Sequence, residues 1–144
     1  MMSRPDPHLL NAASYPHTDT IQTRFQDLDP LGHINNVAMA ALFESGRVRF
    51  NRAMGLAAWA GHRWLVARVE INYIAEGHFP ADMEIATGIG AIGTRSWHIL
   101  SAAFQDGAVI ATCDTVVVMS SAGGATGFPD DFRTALEKYR MRAA

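Results

Sequence analysis

The sequence predicts an α+β fold, in which an antiparallel sheet wraps around one buried helix. Residues 35–54 include a run that is apolar on every side, and such a run is typical of a helix in a protein interior. Five other segments have the residue pattern of β-strands, and short turns connect most of those that follow the helix. Because short turns join antiparallel neighbours, we expect these strands to form one sheet.

The composition is that of one ordinary globular domain. The chain has 144 residues, of which 49% are apolar and 18% are charged, with a net charge of -2. This charge gives no reason to expect a nucleic-acid partner, and no apolar run is long enough to span a membrane. Cys113 is the single cysteine, which fits a reducing compartment, and we therefore expect a cytoplasmic protein with Cys113 as a buried bystander.

The domain is predicted over residues 18–144, behind an arm of residues 1–17. The arm contains Pro5, Pro7 and Pro16 and has no sustained periodicity. It also lacks the apolar stretch of a secretory signal. We expect it to be flexible.

The first strand and the helix are predicted over residues 18–26 and 35–54. Ile21, Thr23 and Phe25 alternate with polar residues, as in a strand with one buried face. Gly55 is a helix stop signal.

Four strands and a short helix follow. The strands are predicted over residues 64–73, 82–92, 97–105 and 108–119, and Asp106-Gly107 is typical of a tight hairpin. Residues 120–127 read as a loop of small residues. The last helix begins after Pro129, with Phe132, Leu136 and Tyr139 roughly at helical spacing.

The turn between the first strand and the long helix holds the candidate site. Asp29-Pro30 and Leu31-Gly32 are turn signals, and Asn35-Asn36 supplies natural helix N-caps. The first turn of a helix carries unpaired amide N–H groups and partial positive charge. Such amides beside a carboxylate can polarise a carbonyl group while a base or nucleophile attacks it. The alternative is that these residues only build a turn and a cap.

This region resembles the signature of the hotdog-fold thioesterases, in particular the 4-hydroxybenzoyl-CoA thioesterase-like acyl-CoA thioesterases. Its Gly-His-Ile-Asn-Asn core also resembles the plant acyl-ACP thioesterases. The resemblance implies a five-stranded antiparallel sheet around one long central helix, a short C-terminal helix, and hydrolysis of an acyl-CoA to free acid and CoA. The matching residues are Arg24-Phe25-x-Asp27-x-Asp29-x-x-Gly32-His33-x-Asn35-Asn36, with Phe43-Glu44 and Arg47 downstream.

The resemblance also implies roles for individual residues. Asp29 occupies the position of the catalytic carboxylate, as general base or nucleophile, and Asn36 the position whose backbone amide polarises the thioester carbonyl. His33 is a further catalytic candidate, whereas we expect Asp27 to be structural. The candidate substrate-binding residues are Gly32, Asn35, Glu44, Arg95 and Ser96.

Some of these residues have simpler explanations. Glu44 fits an ion pair with Arg47 or another nearby arginine equally well. Arg95 and Ser96 lie in a turn that resembles the coenzyme A contact region of the family, but an exposed turn arginine needs no function.

The sequence has no pattern for a metal site or a bound cofactor. Its histidines are scattered, and it lacks a Gly-x-Ser-x-Gly elbow, a P-loop and a dinucleotide fingerprint. The other functions open to a hotdog domain are an acyl-ACP thioesterase, a non-catalytic acyl-CoA-binding module and a dehydratase.

The sequence also predicts self-association. The second half of the long helix carries Arg47, Arg49 and Arg52, which is too polar for a single monomeric core. The edges of a small sheet also need a partner. We therefore expect a homodimer or homotetramer, with the active site at the subunit boundary.

Overall fold

One long helix packs across a five-stranded antiparallel sheet in the computed structural model. The structure describes residues 5–59, 61–120 and 127–143, so the predicted loop at 120–127 lies outside it except at its ends. The strands are β1 (His17–Ile21), β2 (Arg63–Tyr73), β3 (Met83–Ile92), β4 (Ser96–Gln105) and β5 (Ala108–Ser120), and the helices are α1 (Asn36–Ala53) and α2 (Asp130–Lys138). This arrangement confirms the predicted α+β class and the hotdog architecture.

The strand order is β1-β3-β4-β5-β2. The hairpins β3–β4 and β4–β5 are the neighbours that their short turns predict, and Asp106 and Gly107 both have positive φ in the second turn. In contrast, the segment after β2 crosses the sheet, because β2 pairs with β5 and β3 pairs with β1. Both β1 and β2 are therefore edge strands.

The first strand is shorter than predicted. It ends at Ile21, and Phe25–Asp27 forms a 3-10 turn that leaves the Phe25 side chain 76% exposed. The prediction of strand structure through residue 26 was wrong because Asp27 bonds to the local backbone. Its Oδ2 accepts a hydrogen bond from the Arg24 amide at 2.9 Å, which favours a turn over a ladder.

Helix α1 is buried on one side only. Met39, Phe43 and Phe50 are among its buried residues, but Val37 is 74% and Val48 53% exposed. The prediction of a helix buried all round was therefore wrong for the single chain. On the buried side, α1 lies so close to β3 that a Cβ at Gly46 would stand 2.5 Å from Cγ2 of Ile85.

An aromatic cluster fixes α2 against the far end of the sheet. Phe132 and Leu136 are completely buried, as their helical spacing predicts. The Phe132 ring lies 5.3 Å from Trp97 and 5.4 Å from Trp59, with both pairs near the edge-to-face geometry that aromatic rings prefer.

The described part of the N-terminal arm packs on the other face of the sheet. Two short 3-10 turns, Pro7–Leu10 and Ala12–Ser14, lead to a buried Tyr15 that contacts Ala86 and Ala102. The flexibility expected of residues 1–17 stays a prediction. Among the described helices, none is both long and apolar enough to cross a membrane.

Replacing Phe132 with alanine is expected to lower the free energy of unfolding by about 3–5 kcal/mol, because it leaves a cavity at the centre of the aromatic cluster. The control Thr134→Ala changes an exposed position of the same helix and should stay within about 0.5 kcal/mol of the parent. Urea denaturation followed by tryptophan fluorescence measures both. Equal stability of the two variants would contradict this view of the core.

Candidate active site

The loop between β1 and α1 folds back on itself as a tight turn. The Asp29 amide donates to the His33 carbonyl at 2.8 Å, and the Gly32 amide donates to the Asp29 carbonyl at 2.9 Å. Gly32 has a φ of 83°, a left-handed conformation that strongly favours glycine. The turn itself therefore requires Gly32, and contact of this residue with a substrate stays a prediction.

Two backbone amides hold the Asp29 carboxylate in place. Its Oδ1 accepts hydrogen bonds from the amides of Leu31, at 2.9 Å, and His33, at 3.1 Å. Its Oδ2 has no hydrogen-bond partner among the described residues. The side chain is half-buried, so the carboxylate is both oriented and accessible.

The start of α1 leaves the Asn36 amide open beside this carboxylate. Asn35 is the N-cap, and its Oδ1 accepts a hydrogen bond from the Ala38 amide at 2.7 Å. Asn36 is the first helical residue, and its amide N–H has no acceptor in the part of the chain that the structure describes. Of the two asparagines, only Asn35 is the cap. The free N–H of Asn36 has the helix geometry that binds partial negative charge.

A cleft of about 370 Å³ brings these groups together. Four of the sequence-predicted residues line it, namely Asp29, His33, Asn35 and Asn36. Its other walls are largely apolar and come from Leu31, Ile34, Met39, Tyr73, Ala75, Glu76, Gly77 and Ile110. The cleft can therefore hold an apolar group next to the carboxylate and the open amide.

Sequence reasoning missed the wall that follows β2. The Ile34 amide donates to the Gly77 carbonyl at 2.9 Å, which ties this segment to the loop before α1. Glu76 Oε2 then lies 3.0 Å from Nε2 of His33, and the Tyr73 hydroxyl lies 3.4 Å from the Asn36 carbonyl oxygen. Nothing in the local sequence signals these contacts, because they join segments about forty positions apart.

Asp27 is structural, as expected. Its side chain is almost completely buried, and it binds Arg24 through the main chain and the guanidinium group. The Asn35 amide also donates to the Asp27 carbonyl at 2.9 Å. Asp27 thus stabilises the loop through its hydrogen bonds and does not line the cleft.

The other predicted substrate-binding residues lie away from the cleft within one chain. Glu44 is exposed two turns along α1, and it forms no ion pair with Arg47 or any other described residue. Arg95 and Ser96 lie at the start of β4. The cleft instead contacts Ile110 of β5, which lies beside the end of β4. The length of β4 makes this separation on the order of 20 Å.

Cys113 is a poor candidate for a catalytic residue. Cys113 is buried, as predicted, and this burial raises the pKa of its thiol. A hydrogen bond with Thr115 and the charge of Arg47 act in the opposite direction, but their effect is smaller. A thiol of raised pKa is a poor nucleophile. Among the described residues, no three His, Cys, Asp or Glu side chains are grouped to hold a metal ion.

The sequence and the structure both match known proteins. The family model of the thioesterase-like superfamily matches residues 23–136. No curated protein sequence matches the chain.

Among solved structures, the PA5185 protein of Pseudomonas aeruginosa is 26% identical, with a TM-score of 0.79 over 91% of this chain and 96% of that one. A predicted thioesterase of Bacillus stearothermophilus is 28% identical, with a TM-score of 0.78 over 88% of this chain and 98% of that one. A thioesterase of Thermus thermophilus, solved with coenzyme A and zinc, is 23% identical, with a TM-score of 0.76 over 87% and 95% of the two chains. At this last identity, the likeness shows the fold alone.

The two asparagines should respond differently to alanine. Asn35→Ala removes the hydrogen bond to the Ala38 amide and is expected to cost about 1 kcal/mol of unfolding free energy. Asn36→Ala keeps its backbone amide and should cost about 0.5 kcal/mol or less. Thermal denaturation of both variants checks this, and a larger loss for Asn36→Ala would contradict the assignment of the cap.

Proposed function

This chain belongs to the thioesterase-like superfamily and is a thioester hydrolase, and from this premise we propose that it hydrolyses an acyl-CoA to the free acid and CoA. The observation that carries the proposal is the pairing of a fixed carboxylate with an open helix amide in one apolar-walled cleft. Thioester hydrolysis needs both groups, since one attacks or activates water and the other stabilises the oxyanion.

Asp29 is the proposed catalytic residue. The Oδ1 atom is engaged by two amides, so Oδ2 is the atom that faces the reaction. As a general base it takes a proton from water, which then attacks the carbonyl carbon. As a nucleophile it attacks that carbon itself and gives a mixed anhydride, which water then hydrolyses. In both routes CoA leaves as the thiolate and gains a proton.

The amide of Asn36 is the proposed oxyanion donor. Asn36 lines the cleft, and its amide belongs to the positive end of α1, which would stabilise the negative charge of a tetrahedral intermediate. His33 is the proposed group that positions water or substrate, since Glu76 lies 3.0 Å from its ring and restricts its orientation. Asn35 contributes indirectly, by capping the helix.

The walls of the cleft suit the acyl part of the substrate. Ile34, Met39 and Ile110 supply apolar surface, and Tyr73 adds a ring at the mouth. Coenzyme A as the carrier is supported by the related Thermus thermophilus thioesterase, which binds it. The absence of a basic run in the sequence weakly disfavours an acidic carrier protein. Hydrolysis assays over short, long, branched and aromatic acyl-CoAs, with acyl-ACPs in parallel, separate these carriers.

A homodimer is the proposed working form, in the cytoplasm. Strand β2 is an edge strand along its eleven residues and exposes Val66, Val69 and Tyr73. An exposed apolar edge of this length is normally covered, and a two-fold axis covers both copies alike. Within one chain, Arg95 and Ser96 lie far from the cleft. A second chain would be able to bring its own Arg95 and Ser96 to it.

Asp29→Asn is expected to lower kcat by roughly 10²–10⁴, because the amide keeps the size of the side chain but can neither accept the proton nor attack. Steady-state release of CoA, followed with a thiol reagent, measures this loss. Asn36→Ala is the matched control, since it changes an adjacent cleft residue and leaves the backbone donor in place. A folded Asp29→Asn variant of near-parental activity would show that the mechanism is wrong.

Light scattering at micromolar concentration should give twice the mass of one chain or a multiple of that, because the β2 edge and its exposed apolar side chains are covered by a second copy. A monomer with full activity would contradict both the assembly and the shared site.

A further inference from the structure

Arg47 is a buried cation without a complete set of partners. Arg47 is only 9% exposed, yet its Nη1 has no hydrogen-bond partner among the described residues. A guanidinium group stays charged at all physiological pH values, so it cannot lose its charge to reduce the cost of burial. A buried charge is normally paired.

The position of Arg47 shows where the missing partner would come from. Glu44, Arg47 and Asn51 are spaced i, i+3 and i+7, so they share one side of α1. Asn51 Oδ1 is also buried without a partner in the described chain. The Arg47 guanidinium lies beside Cys113 of β5, and Cys113 pairs with Ile71 of β2. This side of the helix therefore faces the β2 edge of the sheet.

The space between α1 and β2 is open in the single chain. Helix α1 packs mainly over β1, β3 and β4. On β2, the side chains that share the helix face of the sheet include Val66 and Val69, and these are 54% and 44% exposed. No strand of the described residues lies beside the outer edge of β2. An uncovered apolar strip thus runs next to a buried cation that has no ion-pair partner in the described part of the chain.

We propose that a second copy of this chain fills this space, and that Arg47 pairs there with Glu44 of the partner subunit. The proposal rests on the homodimer of the proposed function and assigns its central polar contact. A two-fold axis perpendicular to the two helices makes them antiparallel. When it passes between positions 45 and 46, position 47 of each helix faces position 44 of the other. The contact then occurs twice.

The charges of the chain favour this occupant. Glu44 is exposed and forms no ion pair within the described chain, although it lies three positions from Arg47 on the same helix. Each copy therefore offers one acid and one base, neither of them in an ion pair with a described residue, on the side of α1 that would meet the second copy. Ala40, on the same side of α1, is small enough to let the helices approach closely.

Two single charge reversals test the pairing. In a homodimer of Glu44→Arg chains, both contacts would join two arginines. In a homodimer of Arg47→Glu chains, both would join two glutamates. Each variant alone is expected to raise the dissociation constant of the dimer roughly 100-fold or more. In an equimolar mixture, however, each chain complements the other at both contacts, so heterodimers should form. Native mass spectrometry over a dilution series distinguishes these species.

Only a contact between chains predicts this rescue, because a pair within one chain gains nothing from mixing. Glu84→Arg is the matched control, since Glu84 is an exposed acid on β3, away from the β2 edge, and its reversal should leave the dissociation constant unchanged. If Arg47→Glu fails to fold, Arg47→Gln replaces it, and mixing with Glu44→Arg should still favour the heterodimer.

Dimers of parental strength from either single variant would overturn the ion pair while leaving the homodimer in place. Weakened variants that do not recover on mixing would also overturn it. A monomeric parent chain would overturn the homodimer and the ion pair together, whereas loss of acyl-CoA hydrolysis alone bears on neither.

Discussion

The hydrogen bonds that Asp29 and Asn35 make to the backbone determine the rest of the site. Together they engage the amides of Leu31, His33 and Ala38, and they fix the angle at which the chain enters α1. They leave the second oxygen of Asp29 and the amide of Asn36 without a partner among the described residues. The same two side chains therefore build the loop and expose the two groups on which the proposed mechanism depends.

Local residues explain why this part of the site was predictable. Asp29, His33, Asn35 and Asn36 lie within eight positions, so turn and capping preferences alone bring them together. The opposite wall was not predictable, because Glu76 reaches His33 only after the segment following β2 has crossed the sheet. Alternation of polar and apolar residues located β2 and β3 to within one residue at each end, and turn signals such as Asp106-Gly107 located β4 and β5 equally well.

Sequence patterns predicted the wrong structure where a side chain bonds to the local backbone or where one face of a helix is left uncovered. Alternation extended the first strand to residue 26, but Asp27 bonds to the Arg24 amide and turns the chain at that point. The apolar run of α1 predicted complete burial, whereas Val37 and Val48 are exposed in one chain. Together with the open edge of β2 and the Arg47 guanidinium, which has no ion-pair partner among the described residues, these side chains are the basis of the proposed homodimer.

The most direct test is a crystal structure of the Asp29→Asn variant with an acyl-CoA analogue in which a methylene group replaces the thioester sulfur. The analogue keeps the carbonyl but cannot be cleaved. Its carbonyl oxygen should accept a hydrogen bond from the Asn36 amide at about 2.7–3.1 Å. Its carbonyl carbon should lie roughly 3–3.5 Å from the side chain at position 29. A carbonyl bound outside this cleft, or turned away from the Asn36 amide, would contradict the proposed site.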